Sequence, residues 1–195
     1  NDEKTVEINI MLIDKKCKLK NILKKEKEIY VPKGMKGKIC FYILKDNYYV
    51  TWRFIKKLRK KEYYKNNKDR NVFHIIMFCL ICGNKNRYAL KYGIEIGENV
   101  FDEGLTIFHF DGIVVNGNAR VGKNCELHGK NCIGNKGFVN ECPIIGDNCN
   151  IGVGASILGN IKLENNITVA AGAVVIKSFE EDGITIGGIP AKKIK

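Results

Sequence analysis

An aliphatic residue recurs every six positions along the C-terminal half of the chain. Small or aliphatic residues stand four positions after each of the first five members of the longest run. The members are Ile145, Ile151, Ile157, Leu163, Val169 and Val175, and their followers are Cys149, Ala155, Ile161, Ile167 and Ala173. An α-helix repeats every 3.6 residues and a strand every two, so neither period accounts for this spacing. The hexapeptide repeat predicts a parallel β-helix.

A second run carries the same period upstream, and a third begins before it. The second is Val115, Val121, Leu127 and Ile133 with Ala119, Cys125 and Asn131 as followers, and the third is Ile96 with Val100. In such a fold each flat face takes about one hexad and three faces close a coil, so the aliphatic side chains stack into a prism-shaped core. We expect the glycines that directly follow repeat positions to form the tight corners. These are Gly97, Gly122, Gly134, Gly146 and Gly152.

The repeat is interrupted once, over residues 134–144, and then resumes in a new register. We expect this segment to leave the prism as a loop. Loops on a rigid scaffold often carry function, although an insertion tolerated at a corner has the same pattern.

The first 92 residues lack the six-residue period. Residues 6–10 and 31–44 contain strand-like runs. Residues 50–64 have one apolar side among lysines, which predicts a helix. A second helix is predicted from about residue 71 to residue 92, where Gly93 ends it. The expected plan is a basic, largely helical N-terminal region, residues 1–92, followed by a β-helix domain, residues 93–195.

The charge is divided between these two parts. The first 92 residues hold 24 lysines and arginines against 9 acidic residues, a net charge of +15, whereas the remainder holds 9 against 12, a net charge of −3. Such a basic region suits an anionic partner, such as a membrane surface, an acidic glycan or a phosphorylated carrier. A solvated lysine-rich face is the alternative. We expect no nucleic-acid partner.

No segment has the pattern of a signal peptide or a membrane span, because the longest apolar run, residues 72–82, is too short and contains a histidine. We therefore expect a cytoplasmic protein, at the inner face of the membrane if the basic region docks there. Cys125 and Cys149 stand at interior repeat positions, which favours reduced thiols. Cys79 and Cys82 form a lone CxxC without a second pair, so we expect no metal site.

The chain has only three histidines, which limits the candidates for a general base. His74 lies in the predicted apolar helix, where packing is the ordinary role. His109 lies where the period slips by two, between Ile107 and Val115, and this irregularity makes it the first candidate. His128 directly follows a repeat position at a corner and is the second.

Four segments resemble the serine acetyltransferase branch of the hexapeptide-repeat acyltransferases, especially its relatives in polysaccharide biosynthesis. They are GLTIFHFDGIVVNGNARVGKNCELH, CPIIGDNCNIGVGASILGNIKL, ITVAAGAVV and GGIPAKKI, which begin at Gly104, Cys142, Ile167 and Gly187. The resemblance covers about residue 50 to the end. It implies a left-handed β-helix, a homotrimer, and acetyl-CoA bound in the cleft between neighbouring subunits. Whether two trimers pair is left open.

The resemblance also implies catalytic roles. It assigns the catalytic base to His109 and its carboxylate partner to Glu95, with Asp102, Glu103 and Asp111 as rivals. A neutral imidazole can take the proton of an acceptor hydroxyl as this attacks the thioester. A carboxylate on the far ring nitrogen then fixes the tautomer and stabilises the imidazolium.

The family's cofactor wall is carried over in the same way, as small residues whose backbone contacts the pantetheine arm. The matching positions are Asn135, Val153, Gly154, Ala171 and Gly172. Lys192 and Lys193 are candidates to bind the nucleotide phosphates, with a solvated tail as the alternative reading.

The acceptor side departs from serine acetyltransferases, which have Asp before the catalytic His and an Arg-His pair before the loop proline. Here these positions hold Phe108, Glu141 and Cys142. Loss of such partners weakens recognition of a charged amino acid. We therefore expect an acetyl-CoA-dependent O-acetyltransferase acting on a saccharide or polysaccharide precursor, with serine O-acetylation in cysteine biosynthesis as the alternative. Acetylation of an amino sugar, and a non-catalytic trimeric scaffold, also stay open.

Overall fold

The structure is a computed structural model that describes residues 11–137 and 140–195. Its first half contains four α-helices, with a 3₁₀ turn at Lys68–Arg70. The helices are α1 (Lys16–Tyr30), α2 (Met35–Leu44), α3 (Asn47–Asn66) and α4 (Val72–Tyr92). The two predicted helices correspond to α3 and α4. None of the helices in the described ranges combines the length and the apolar character needed to cross a bilayer.

The strand expected within residues 31–44 is wrong, because α2 occupies most of that segment. Its N-cap is Gly34, with φ of 86°, and Lys45 ends it in the left-handed conformation. The run of apolar residues is too short for its periodicity to separate a strand from a helix. In the structure the backbone conformations of Gly34 and Lys45 mark the two ends of the helix. The strand-like residues 6–10 lie outside the described part of the chain.

Fourteen short strands follow α4 in the described residues. They are β1 (Ile94–Ile96), β2 (Thr106–Ile107), β3 (Ile113–Val115), β4 (Arg120–Val121), β5 (Glu126–Leu127), β6 (Cys132–Gly134), β7 (Ile144–Ile145), β8 (Asn150–Ile151), β9 (Ser156–Leu158), β10 (Lys162–Leu163), β11 (Thr168–Val169), β12 (Val174–Val175), β13 (Thr185–Gly188) and β14 (Ala191–Lys193).

These strands form three sheets that are the faces of a prism. Sheet A is β1-β3-β6-β9-β12, sheet B is β10-β7-β4, and sheet C is β14-β13-β11-β8-β5-β2. Every pair is parallel except the final hairpin β13-β14. The repeat residues from Ile145 to Val175 are at most 1% exposed and lie in register from coil to coil. The six-residue period therefore corresponds to one face of the prism.

The corners differ from the expectation in one respect. Several of the left-handed turns fall on asparagines, with φ of 54° at Asn124, 56° at Asn148 and 59° at Asn166, and others fall on glycines that do not directly follow a repeat position, such as Gly154 and Gly172. The side chains of these three residues form a ladder of hydrogen bonds along one edge. Glycines after repeat positions serve a different purpose, since a Cβ on Gly152 would lie 2.6 Å from the Ala171 nitrogen. They permit the close approach of the next coil.

The helices end and the coils begin at Gly93, whose φ of 64° turns the chain out of α4. β1 follows directly. The interruption predicted over residues 134–144 lies between the end of β6 and the start of β7.

A buried arginine joins the helices to the first coil. Arg59 of α3 is 1% exposed, and its Nε and Nη2 donate to Glu26 Oε1 of α1 at 3.0 and 2.7 Å. Nη1 donates to Glu62 Oε2 at 3.0 Å. The remaining N–H groups donate to the carbonyls of Phe101 and Asp102 at 2.8 and 2.6 Å. All five guanidinium N–H groups are therefore paired.

Tyr30, at the end of α1, makes a second connection. Its hydroxyl donates to the Leu105 carbonyl and accepts the Ile107 N–H, both at 2.9 Å. Ile107 lies two residues before His109. The two hydrogen bonds of Tyr30 therefore fix the helical region against the segment that carries the candidate base.

Candidate active site

The first candidate base lies on the edge of the prism between sheets C and A. We call this the His109 edge and define it by residues 108–112, 128–131, 152–154 and 170–172. Backbone hydrogen bonds connect its successive coils, from Lys130 N to Asp111 O at 2.7 Å, Gly154 N to Gly129 O at 2.9 Å, and Gly172 N to Val153 O at 2.8 Å. His109 is exposed. Within the described residues its imidazole makes no hydrogen bond, so both ring nitrogens are available to a ligand.

Four of the predicted cofactor residues stand on this same edge, in the third and fourth coils. Val153 and Ala171 are exposed, and Gly154 and Gly172 have φ of 72° and 67°. At about 4.8 Å per coil, they lie about 10–14 Å along the edge from the His109 coil. A Cβ on Gly172 would meet no atom within 4 Å, so the space beside the backbone is open. The structure therefore brings His109 and these four residues onto one strip of surface.

Lys192 lies at the far end of that strip. It is exposed on β14 and stands opposite Gly187 in the final hairpin. A Cβ on Gly187 would lie 2.9 Å from the Ala170 Cβ, which fixes the hairpin beside the fourth coil. A cation at this position is suited to bind an anionic group at the end of the edge.

The two carboxylates considered as partners of His109 are placed differently. Glu95 is the exposed middle residue of β1, opposite Val114 of β3, and so points out from the face of sheet A. Asp111 stands on the His109 edge, where its Oδ1 lies 3.7 Å from the position of a Cβ on Gly93. The structure therefore brings Asp111, and not Glu95, to the edge that carries His109.

Phe108 and His128 form an aromatic pair next to the base. Their ring centroids are 4.7 Å apart, and each residue directly follows one member of the paired positions Ile107 and Leu127. Nε2 of His128 is buried, has no hydrogen-bond partner among the described residues, and lies 4.0 Å from Glu126 Oε2. The sequence ranked His128 second, as a residue that follows a repeat position at a corner. Its place beside Phe108 depends on the register between coils, which the repeat does not show.

Two other predicted site residues lie away from this edge, where the chain passes between sheets A and B. Asn135 follows β6, and its Nδ2 donates to the Gly137 carbonyl at 2.9 Å. Cys142 precedes β7 and is buried, and this burial raises the pKa of its thiol. Neither residue reaches the His109 edge of the same chain.

A groove runs between α4 and sheet A. It contains two adjoining cavities of about 550 and 500 Å³, and Glu95 lines both, whereas Asn135 lines the larger. Lys85 of α4 lies in its wall and donates to the Ile96 carbonyl at 2.6 Å. Burial lowers the pKa of Lys85 even though Glu98 stands near it. The groove thus groups Glu95 with Asn135, and His109 is not among its lining residues.

Known proteins that are similar to this chain in sequence, and solved structures that are similar to it in fold, are both serine acetyltransferases. The chain is 32% identical over 108 residues to serine acetyltransferase of Synechococcus elongatus, across 54% of this chain and 44% of that protein. It is 35% identical over 115 residues to serine acetyltransferase of Buchnera aphidicola subsp. Schizaphis graminum, across 57% and 44%. The chain thus spans somewhat less than half the length of these relatives. No protein-family model matches it.

Among solved structures, soybean serine acetyltransferase complexed with serine covers 90% of this chain and 69% of its own, with a TM-score of 0.70 and 22% identity. A serine acetyltransferase in complex with CoA covers 92% and 71%, with a TM-score of 0.66 and 15% identity. This likeness confirms the predicted fold, a left-handed parallel β-helix preceded by helices. In sequence and in fold, the chain is similar to serine acetyltransferases of the hexapeptide-repeat type.

Proposed function

We propose that the protein is an acetyl-CoA-dependent O-acetyltransferase in which His109 is the general base. The observation that carries this proposal is the arrangement along one edge, with an exposed imidazole at one end and open, small-residue coils beyond it. The similarity to serine acetyltransferases supports it.

Acetyl transfer requires an exposed base next to the bound thioester and acceptor, and His109 supplies that base. The His109 imidazole takes the proton of the acceptor hydroxyl while that oxygen attacks the thioester carbonyl. The tetrahedral intermediate then collapses, the C–S bond breaks, and the imidazolium returns the proton to the departing thiolate. No acyl-enzyme is formed. Such proton transfer by a positioned base contributes about 10²–10⁴-fold to the rate.

We assign the orienting carboxylate to Asp111, because it shares the His109 edge whereas Glu95 lies on the face of sheet A. A carboxylate near the far ring nitrogen holds the imidazole in the tautomer that can accept a proton.

Acetyl-CoA is the proposed co-substrate, lying along Val153, Gly154, Ala171 and Gly172 with its phosphates towards Lys192. Residues without bulky side chains let an extended arm contact the backbone directly. The structure described as a complex with CoA supports this choice of ligand.

We propose further that the protein acts as a homotrimer. Asn135 and Cys142 lie between sheets A and B, away from the His109 edge of their own chain. A neighbouring subunit could bring them to that edge, which would complete the cleft expected from the sequence.

The proposed acceptor is L-serine. The relatives are named serine acetyltransferases, and this favours serine over the saccharide expected from the sequence. Charged groups are also present around the edge: the Lys130 ammonium lies 3.9 Å from the Asp111 carboxylate, and His128 stands beside Glu126. Of these, Lys130 and Glu126 could hold an amino acid's carboxylate and ammonium groups, while Asp111 keeps the orienting role.

A saccharide hydroxyl is the second candidate acceptor. It is favoured by the apolar ring of Phe108 and the buried thiol of Cys142, which stand where the resemblance would place charged partners. Neither residue offers an ion pair to an amino acid.

The test measures thiol release from acetyl-CoA by the purified chain, with L-serine and a panel of sugars, nucleotide sugars and oligosaccharides. His109→Ala is the inactive control, and Lys123→Ala, at an exposed position in the turn between β4 and β5, is the matched active control. Turnover of L-serine supports the first acceptor, and turnover of a saccharide alone replaces it with the second. Absence of thiol release across the whole panel contradicts the proposed enzyme.

A further inference from the structure

Helix α2 exposes an apolar stripe that the described chain leaves largely uncovered. Met35, Ile39, Tyr42 and Ile43 are 79%, 51%, 47% and 70% exposed. Their spacing of four, three and one residues sets them on one side of the helix. Four large apolar side chains in one stripe form a patch of the kind that marks an interaction site.

The other side of α2 is attached to the protein body chiefly through Phe41, and Tyr42 at the margin of the stripe also contacts α3, with its ring centroid 6.0 Å from that of Tyr49. Phe41 is 3% exposed, and its ring centroid lies 5.5 Å from that of Tyr49 on α3. At 100° per residue, Phe41 points well away from the centre of the stripe. The stripe therefore faces outward because the helix is held from behind.

Lysines border the stripe. Lys36 falls beside Ile43 on one side of the helix, and Lys38 falls beside Tyr42 on the other. Lys33 precedes the helix and Lys45 ends it, and residues 29–45 contain no acidic residue. All four lysines are exposed. This segment is thus apolar in the middle and cationic around the rim.

We propose that α2 is a membrane-docking helix that lies flat on an anionic phospholipid surface. Helices of this kind bury an apolar stripe at the boundary between headgroups and acyl chains, while flanking lysines contact anionic headgroups. Tyr42 has the amphipathic ring that is enriched at that depth. A second copy of the chain fits less well, because it would bring the same four lysines into the contact. The proposal is independent of the acceptor.

The docking surface also lies at the end of the molecule that carries the candidate base. Gly34, the N-cap of α2, comes four residues after Tyr30, whose hydroxyl is bonded to the backbone at Leu105 and Ile107. Docking through α2 would therefore set the first coil of the prism towards the lipid.

The experiment is co-sedimentation of the purified full chain with vesicles. One set is phosphatidylcholine alone, and the other contains about 30 mol% phosphatidylglycerol. We expect binding to the anionic vesicles only, weakened by added salt because headgroup charges are screened. In a Tyr42→Trp variant, tryptophan emission should shift to shorter wavelength on binding, since the native Trp52 is already buried.

Variants separate the contribution of the lysine charges from that of the buried apolar side chains. Replacing Lys33, Lys36 and Lys38 together by Gln should weaken binding on the order of a hundredfold, at about fivefold for each lysine. Ile43→Ser should weaken it about tenfold. The matched controls are Lys123→Gln on the β-helix and Leu80→Ser on α4, an exposed apolar position within a stretch free of charged residues. Both controls should bind like the wild type.

Three results would overturn the proposal: equal binding to both kinds of vesicle, binding by the triple lysine variant equal to that of the wild type, or equal losses in Leu80→Ser and Ile43→Ser. A self-association detected by sedimentation and abolished by Ile43→Ser would assign the stripe to a second copy instead. Because every altered side chain is exposed, thermal unfolding should be unchanged in all variants, and this check excludes misfolding as the cause.

Discussion

Replacement of Arg59 by Met should be among the most damaging single changes outside the candidate active site. It would remove all five guanidinium N–H donors and leave the carboxylates of Glu26 and Glu62 buried without their cation. The carbonyls of Phe101 and Asp102 would also lose their partners. Breaking a buried ion pair from one side costs about 3–5 kcal/mol. With two further carbonyls affected, we expect a loss near the top of that range, about 4–5 kcal/mol.

The assay is urea unfolding monitored by circular dichroism. The free energies of unfolding of the wild type and the variant are compared with the same dependence on urea concentration. In thermal unfolding the same loss corresponds to about 8–20 °C for a chain of this size. The matched control is Lys25→Met, which removes an ion pair to Glu103 at 2.8 Å in which the lysine is 62% exposed. That change should cost less than about 1 kcal/mol.

Two further measurements test the reasoning. Burial already raises the pKa of Glu26, with Arg59 opposing the shift. Without the arginine the carboxylate should bind a proton more readily, so the deficit of Arg59→Met should shrink as pH falls. Arg59→Met combined with Glu26→Met should be more stable than Arg59→Met alone, because one stranded carboxylate is gone. A cost for Arg59→Met no larger than that of Lys25→Met would refute the account.

Three other predictions concern the coils and the candidate site. Burial opposes ionisation of Glu98, but Lys61 prevails and lowers the pKa of this carboxyl, so its stabilising effect should be present above the ordinary glutamate pKa of 4.5 and be lost as pH falls below it. Acid unfolding of Glu98→Gln should therefore depend less on pH than that of the wild type. Gly152→Ala should cost about 1–3 kcal/mol in denaturant unfolding because its Cβ meets the next coil, whereas Gly117→Ala, whose Cβ would lie 3.9 Å from the Gly97 Cα, should be tolerated. Asp111→Asn should lower kcat about tenfold or more while Glu95→Gln leaves it within about twofold, and the reverse order would return the orienting role to Glu95.

The coils could be predicted from the sequence because their information is local and repeated. Each hexad presents an aliphatic residue to the same interior, so within the unbroken run one period fixes both the burial of Ile151 and its stacking on Val169. Its stacking on Leu127 spans the interruption over residues 134–144, and the period alone does not give it. The reason that glycine is required at the positions directly after repeat residues could not be predicted from the repeat. A glycine such as Gly152 is required by the backbone of the next coil, which lies 19 residues away at Ala171.

The helical region was harder to predict because its contacts are not periodic. The segment containing α2 has apolar residues on several sides of the helix, since Phe41 packs inward while Ile39 and Ile43 face solvent. A short run of apolar residues on several sides of a helix has the same sequence pattern as a buried strand. The buried pairing of Arg59 with Glu26 spans 33 residues and leaves no local pattern.

The candidate site was predictable in part. The slip of the repeat and the family resemblance made His109 the candidate base, and the resemblance alone supplied the four residues that the structure sets on the same edge. The edge on which each residue lies depends on the register between coils. That register sets Glu95 on the face of sheet A and brings the ring of His128 beside Phe108, and no spacing along the chain reports either.

The central claim is that His109 is the base of an acetyl transfer from acetyl-CoA, and steady-state kinetics of His109→Ala tests it most directly. The account predicts that kcat falls about 10²–10⁴-fold while KM for acetyl-CoA changes little, because the imidazole acts on the acceptor rather than on the cofactor. His74→Ala is the matched control, since His74 lies on α4 and pairs with Asn71 at 2.7 Å. An unchanged kcat in His109→Ala, or an equal loss in His74→Ala, would contradict the claim.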